Sequence, residues 1–134
     1  MPARIQRKRT AGWRRGDAII VDRSSRYGNP FRIVGQRSVE HPDRSVTWSC
    51  ETPELARAKA TELYEAWLNG VGAPEYSLHG REFDRGRVLK ALRRGDLAGR
   101  DLACTCPLPQ PSQPDHCHAA ILLWKANQPE WSPR

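Results

Sequence analysis

Two short segments constrain this chain most: Asp101-Leu-Ala-Cys104-Thr-Cys106-Pro107 and His116-Cys117-His118-Ala119. Together they hold three of the four cysteines and two of the four histidines. Leu102 to Cys104 reads as a short buried strand, and Ala119 onward as a helix with Leu122, Leu123 and Ala126 on an apolar face. Asp115 is the expected N-cap of that helix, which puts Cys117 and His118 in its first turn. A strand end and a helix start then bring Cys104, Cys106, Cys117 and His118 toward one point. Such a point is either a metal site or the wall of an active site.

At 134 residues the chain has room for one domain with a modest core. Its formal charge is +7, unevenly spread. Arg4, Arg7, Lys8, Arg9, Arg14 and Arg15 precede the first acidic residue, Asp17. Residues 1–16 therefore read as a basic arm that would attract a phosphate backbone through counterion release, or as a solvated tail. No apolar run approaches the roughly 20 residues that cross a bilayer, and no signal-peptide core follows the basic start. The expectation is a soluble cytoplasmic protein with no membrane partner, whose cysteines are thiols or ligands rather than disulfides.

Along the chain, Ala18 to Val21 reads as a buried first strand, followed by the loop Asp22-Arg-Ser-Ser-Arg-Tyr-Gly-Asn-Pro-Phe31. In an open α/β sheet, ligands sit beyond the carboxyl ends of the strands. Ser24, Ser25, Arg26, Gly28 and Asn29 are thus candidates for binding a phosphate or sugar. The competing reading is a plain turn with Gly28 at positive φ and Asn29 bonded to its own backbone. Phe31 to Val34 reads as a second strand, and residues 35–50 as an irregular excursion or a hairpin returning along Val46 to Trp48. Thr52-Pro53 starts a helix running to about Asn69, with Leu55, Ala56, Leu63, Tyr64, Trp67 and Leu68 on its apolar stripe. Residues 71–83 read as a linker, Asp84 to Arg94 as a helix capped by Gly95, Arg100 to Cys104 as the central strand, and 128–134 as a loose tail. The predicted fold is a single α/β domain over residues 17–127, a small mixed sheet flanked by about three helices. Its ligand edge lies where the loop after Val21 meets Cys104 and the last helix.

The basic start, Trp13-Arg14, the Ser25-Arg-Tyr-Gly-Asn-Pro-Phe31 loop, Asp101-Leu-Ala-Cys-Thr-Cys106 and Cys117-His-Ala together carry a likeness. The combination resembles a family of small actinobacterial and phage proteins defined by a domain of unknown function. The resemblance spans nearly the whole chain except residues 36–50 and the tail. It implies phage or host-defence surroundings inside a bacterial host cell, and no particular reaction. Residues 107–116 form a longer connection than that family's usual one.

Three chemistries fit these residues. Cys104, Cys106, Cys117 and His118 would make a structural Cys₃His zinc site, with His116 as a substitute ligand. An extended Cys-x-Cys puts its two Cβ atoms about 6–7 Å apart on one face, so this needs a bend near Pro107. Alternatively, Cys117 is a reactive thiol whose pKa is lowered by the helix N-terminus. His116 or His118 would then move the proton and Asp22 supply a carboxylate, in an enzyme acting on a nucleotide, nucleoside or nucleobase. In the third, the cysteines only pack, and a basic module binds nucleic acid or a host protein. The expectation is a nucleotide- or nucleic-acid-associated protein with a Cys/His-lined pocket.

Overall fold

The computed structural model describes residues 2–8, 10–14 and 16–128. Arg9, Arg15 and the tail beyond Gln128 lie outside the described residues. In chain order the elements are β1 (Arg4–Gln6), β2 (Ile19–Ile20), β3 (Arg32–Val34), β4 (Ser38–Glu40), β5 (Thr47–Ser49) and α1 (Pro53–Leu68), followed by β6 (Glu75–Leu78), β7 (Arg81–Asp84), α2 (Arg85–Arg94), β8 (Leu102–Cys104) and α3 (His118–Ala126). The α/β class holds. The one mixed sheet expected from sequence is instead three small sheets: parallel β1-β8-β2, antiparallel β3-β4-β5 and the hairpin β6-β7.

β8 is central and all three of its residues are buried, as a strand flanked on both edges and covered on its faces requires. Arg4 pairs with Leu102 and Gln6 with Cys104, while Ile19 pairs with Leu102 and Ile20 with Ala103. All three strands run the same way, so their carboxyl ends share one edge. Arg7 and Thr105, which directly follow β1 and β8, and Asp22, two residues beyond β2, are delivered there together. The first part of the N-terminal segment is therefore sheet rather than a solvated arm.

α1 begins as its sequence dictates. Thr52 caps it by accepting a hydrogen bond from the Leu55 amide at 3.1 Å, and Pro53 takes the first helical position. Ala56, Ala60, Thr61, Tyr64, Trp67 and Leu68 face the core, while Leu55 is half exposed and lies off the buried stripe. The indole Nε1–H of Trp67 donates to the Ala73 carbonyl and the Tyr64 hydroxyl to that of Tyr27, so both large rings are buried without an orphaned polar atom. α2 is capped by Asp84 and ends at Gly95, whose φ of 77° supplies the left-handed turn, with Leu97 buried just beyond.

The segment read as a linker contains the β6-β7 hairpin. Its two-residue turn, His79-Gly80, has φ of 50° and 76°, the double positive φ that tight hairpins require. Tyr76 lies opposite Phe83, and both ride against the core. The periodicity is there, but a His-Gly turn lacks the Asn-Gly or Asp-Gly signature.

Gly28 departs from expectation in an instructive way. Its φ is not positive. A Cβ at this position would lie 2.8 Å from the Arg23 Cα, 3.0 Å from the Asp22 carbonyl oxygen and 3.3 Å from the Phe83 ring. Glycine is needed here for close approach of two backbone segments, not for a left-handed turn. Gly28→Ala should lower stability by about 1–3 kcal/mol through overpacking against backbone that cannot yield. A urea melt with an unchanged midpoint would show that the loop relaxes freely.

Candidate functional site

A cleft of about 640 Å³ opens at the shared carboxyl edge of the parallel sheet. Its floor is Cys104, Cys106, Cys117 and His118, and its walls come from the loop after β2, from β3, α1 and β7.

The floor is assembled by the break in β8. The strand stops at Cys104 and the chain bends through Thr105, so the Cys104 and Cys106 sulfurs lie 3.8 Å apart rather than at extended-strand spacing. Cys117 is itself the N-cap of α3, with φ −145° and ψ 139°. Because its backbone is extended, the offset of about 100° between adjacent helical residues does not apply, and Cys117 and His118 can face one point. Ligand atoms of Cys104, Cys117 and His118 all lie within 4.8 Å of one another. Cys106 is not part of that mutual set. It touches it through Cys104 and through its interaction with Cys117. These residues could hold a metal ion. Cys104, Cys117 and His118 are 2%, 1% and 5% exposed, so they meet solvent only through the cleft.

His118 has one ring nitrogen engaged. Its Nε2 lies 2.5 Å from the carbonyl oxygen of Val21, at the end of β2. A carbonyl only accepts, so Nε2 is the donor in this contact, and Nδ1 is the ring nitrogen not used by it. A backbone carbonyl on the remote nitrogen is the support that metal-binding histidines characteristically have. The Tyr64 ring stands edge-on to the imidazole at 5.1 Å and blocks rotation.

The three thiols lie close enough to perturb one another, which the sequence did not suggest. Hydrogen bonding with Cys106 and Cys117 holds Cys104 well below the ordinary thiol range. That with Cys104 and Cys106, reinforced by burial, pushes Cys117 up. Cys117 stands at the N-cap of α3 and not in its first turn. Its sulfur neighbours and its burial both oppose ionisation of Cys117.

Arg4 and Asp115 also change roles. Asp115 does not cap α3, which has no side-chain cap. It accepts a two-pronged ion pair from Arg4, Nε to Oδ2 at 2.8 Å and Nη2 to Oδ1 at 2.6 Å. Arg4 also donates to the carbonyls of Cys106 and Pro107, at 2.6 and 2.8 Å. Its side chain is 3% exposed. Four of its five guanidinium N–H groups are thus engaged within the protein. Arg7 reaches the cleft but is bonded to Asp22 at 2.9 Å and to Ser24 at 3.1 Å. Lys8 and Arg14 are exposed and do not line the cleft.

In the loop after β2, the Asp22 carboxylate accepts bonds from the Ser24 amide and hydroxyl. The Ser25 hydroxyl donates to the Asp22 carbonyl and accepts from the Tyr27 amide. Asn29 donates to the Ala60 carbonyl of α1 and accepts from the Phe31 amide, both at 2.9 Å. The polar ends of Ser25 and Asn29 are thus spent on holding the loop. Arg26 is exposed and outside the cleft. The residues that sequence reasoning missed are Arg23, Arg32, Arg57 and Arg81, which line the cleft with Arg7. Among the described residues Asp22 is the only acidic one lining it. Among the described residues no carboxylate pairs with any of those four arginines.

Two outcomes follow from these bonds. Arg4→Met should cost about 3–5 kcal/mol, since it leaves a shielded carboxylate and two carbonyls without their donor; a loss under 1 kcal/mol in chemical denaturation would contradict the latch. Asp22 is raised by burial, but the Ser24 bonds and Arg7 outweigh this and hold its carboxyl below the usual range. A lowered folded pKa adds stability above the unfolded value of about 3.9, and that stability is lost as pH falls through the folded one. Asp22→Asn should therefore shallow the acid limb of the stability curve; an unaltered limb would show that the carboxylate contributes nothing.

Comparison with known proteins agrees with the resemblance. No curated protein and no solved structure matches the chain. Residues 5–128 match the family model described as a domain of unknown function, DUF4326, and the chain belongs to that family.

Proposed function

We propose that the protein binds a nucleotide in the cleft, and that Cys104, Cys117 and His118, with Cys106 beside them, hold one zinc ion at its floor. The observation that carries the first part is the charge of the walls: five arginines against the single, already paired, Asp22. A cavity of this sign, about 640 Å³ in volume, suits a small anionic ligand of nucleotide size. Guanidinium forks match phosphate geometry, and the carboxyl edge of a parallel sheet is where α/β folds take such ligands.

The zinc assignment rests on distance and on ligand support. Two sulfurs bound to one tetrahedral zinc at about 2.3 Å sit about 3.8 Å apart. The Cys104–Cys106 separation is 3.8 Å. With Nε2 of His118 bonded to the Val21 carbonyl, Nδ1 is left for the ion. Near-complete burial of Cys117 favours a ligand role over that of an attacking nucleophile, which needs access to its substrate. A bound zinc would take up the thiolate charge and lock the β8 end to the start of α3.

Elemental analysis of untagged protein should return one zinc per chain, with Cys117→Ser losing it; metal-free protein with freely reacting thiols would end this reading. For the cleft, a nucleotide present at 100 times its Kd should add about 2.7 kcal/mol of stability, seen as a melting temperature several degrees higher. Arg57→Ala should weaken that binding about tenfold or more, the worth of one charge-assisted bond. If no nucleotide moves the wild-type melting temperature at low salt, the cleft is not a nucleotide site.

A further inference from the structure

Three of the cleft's arginines arrive from three separate elements. Arg23 comes from the loop after β2, Arg32 from β3 and Arg81 from the start of β7. Arg23 is held in place. Its Nη1 donates to the Asn29 carbonyl at 2.6 Å, and its guanidinium lies 5.1 Å from the Phe83 ring centroid. Arg32 is steadied by His79 at the hairpin tip, 3.1 Å away. The three are close enough to feel one another: burial, then the charges of Arg32 and Arg81, lower the pKa of Arg23. Like charges gathered on rigid supports, with no carboxylate paired to them among the described residues, are relieved by an anion.

We infer that this mouth of the cleft is an oligophosphate subsite, in which Arg23, Arg32 and Arg81 hold the phosphate chain of a free nucleotide. The inference rests on the nucleotide reading and adds to it which end of the ligand lies where. A nucleic-acid backbone carries one charge per phosphodiester, spaced along the strand. A di- or triphosphate concentrates several charges on adjacent groups, and three converging guanidinium forks match that density. The nucleoside end is then left facing the Cys/His floor.

The experiment is calorimetric titration of the full chain with a nucleoside and its mono-, di- and triphosphate, with inorganic tripolyphosphate, and with a short oligonucleotide lacking terminal phosphates. Wild type and the Arg32→Ala/Arg81→Ala double variant are compared; both positions are exposed, so the fold should survive. Affinity should rise with each added phosphate, and the variant should lose about tenfold or more for the triphosphate while nucleoside binding stays unchanged. Equal affinity for mono- and triphosphate, with no effect of the variant, overturns the subsite and leaves the nucleotide reading standing. Tripolyphosphate binding that the variant abolishes, with no preference for any nucleotide over it, keeps the subsite and overturns the nucleotide reading. Tighter binding of the oligonucleotide than of the triphosphate means a phosphodiester site and overturns the oligophosphate assignment. No binding of any probe at low salt overturns both.

Discussion

Arg4 ties together the parts of the molecule that would otherwise drift apart. Its guanidinium spans from β1 to the carbonyls of Cys106 and Pro107 and to both oxygens of Asp115. Those partners lie on either side of a long proline-rich connection that has no secondary structure of its own. Without a donor between them, the Cys106 turn and the segment entering α3 would lose the ion pair and carbonyl bonds that close the loop, leaving the sulfur contacts and the packing of α3 on β8 to oppose its entropy. A fork that satisfies four acceptors at once converts that loop into a closed bracket. Through it, the spacing of Cys104 and Cys117 is set by a residue some hundred positions away. The forked geometry also explains why a lysine, with its single point charge, would be a poor replacement.

Around this bracket the molecule stores charge in an unusual way. Asp22 neutralises Arg7 and is consumed in doing so, while the other cleft arginines are left to face one another. Surfaces normally intersperse the two signs, because like-charge crowding opposes compactness. Here the crowding is held by hydrogen bonds to carbonyls, by an aromatic face and by rigid strands rather than by counter-charges. Structural economy alone does not call for that arrangement, which is why a ligand of opposite charge is its natural explanation. The floor gathers thiol sulfurs and an imidazole within a few ångströms of one another, a donor set that could hold a cation.

Much of the local structure was legible in the residues. Thr52-Pro53 begins a helix because one caps and the other is preset for the first turn, and Gly95 ends one because, with no Cβ, it takes the left-handed bend without strain. Leu102 to Cys104 is the central strand because an uninterrupted apolar triplet between polar segments has to be covered on both faces. The β6-β7 hairpin was not legible, since His-Gly is a weak turn signal and tertiary packing of Tyr76 and Phe83 carries the pairing. Nor was β1 legible: three residues among arginines look like a solvated arm until β8 offers them an edge.

What the sequence determined by itself was the periodicity of the helices, the central strand and the concentration of Cys and His at one strand end and one helix start. These are local properties, written in side-chain spacing and capping chemistry. Only the tertiary structure decided which charges meet. Arg4 and Asp115 are 111 positions apart, and Arg23 meets Arg32 and Arg81 only because the hairpin folds back beside β3. It also decided that Cys117 caps its helix instead of entering it. Electrostatic partnership depends on distance in space, and in a chain of short sheets and long connections that distance is set by packing rather than by spacing in sequence.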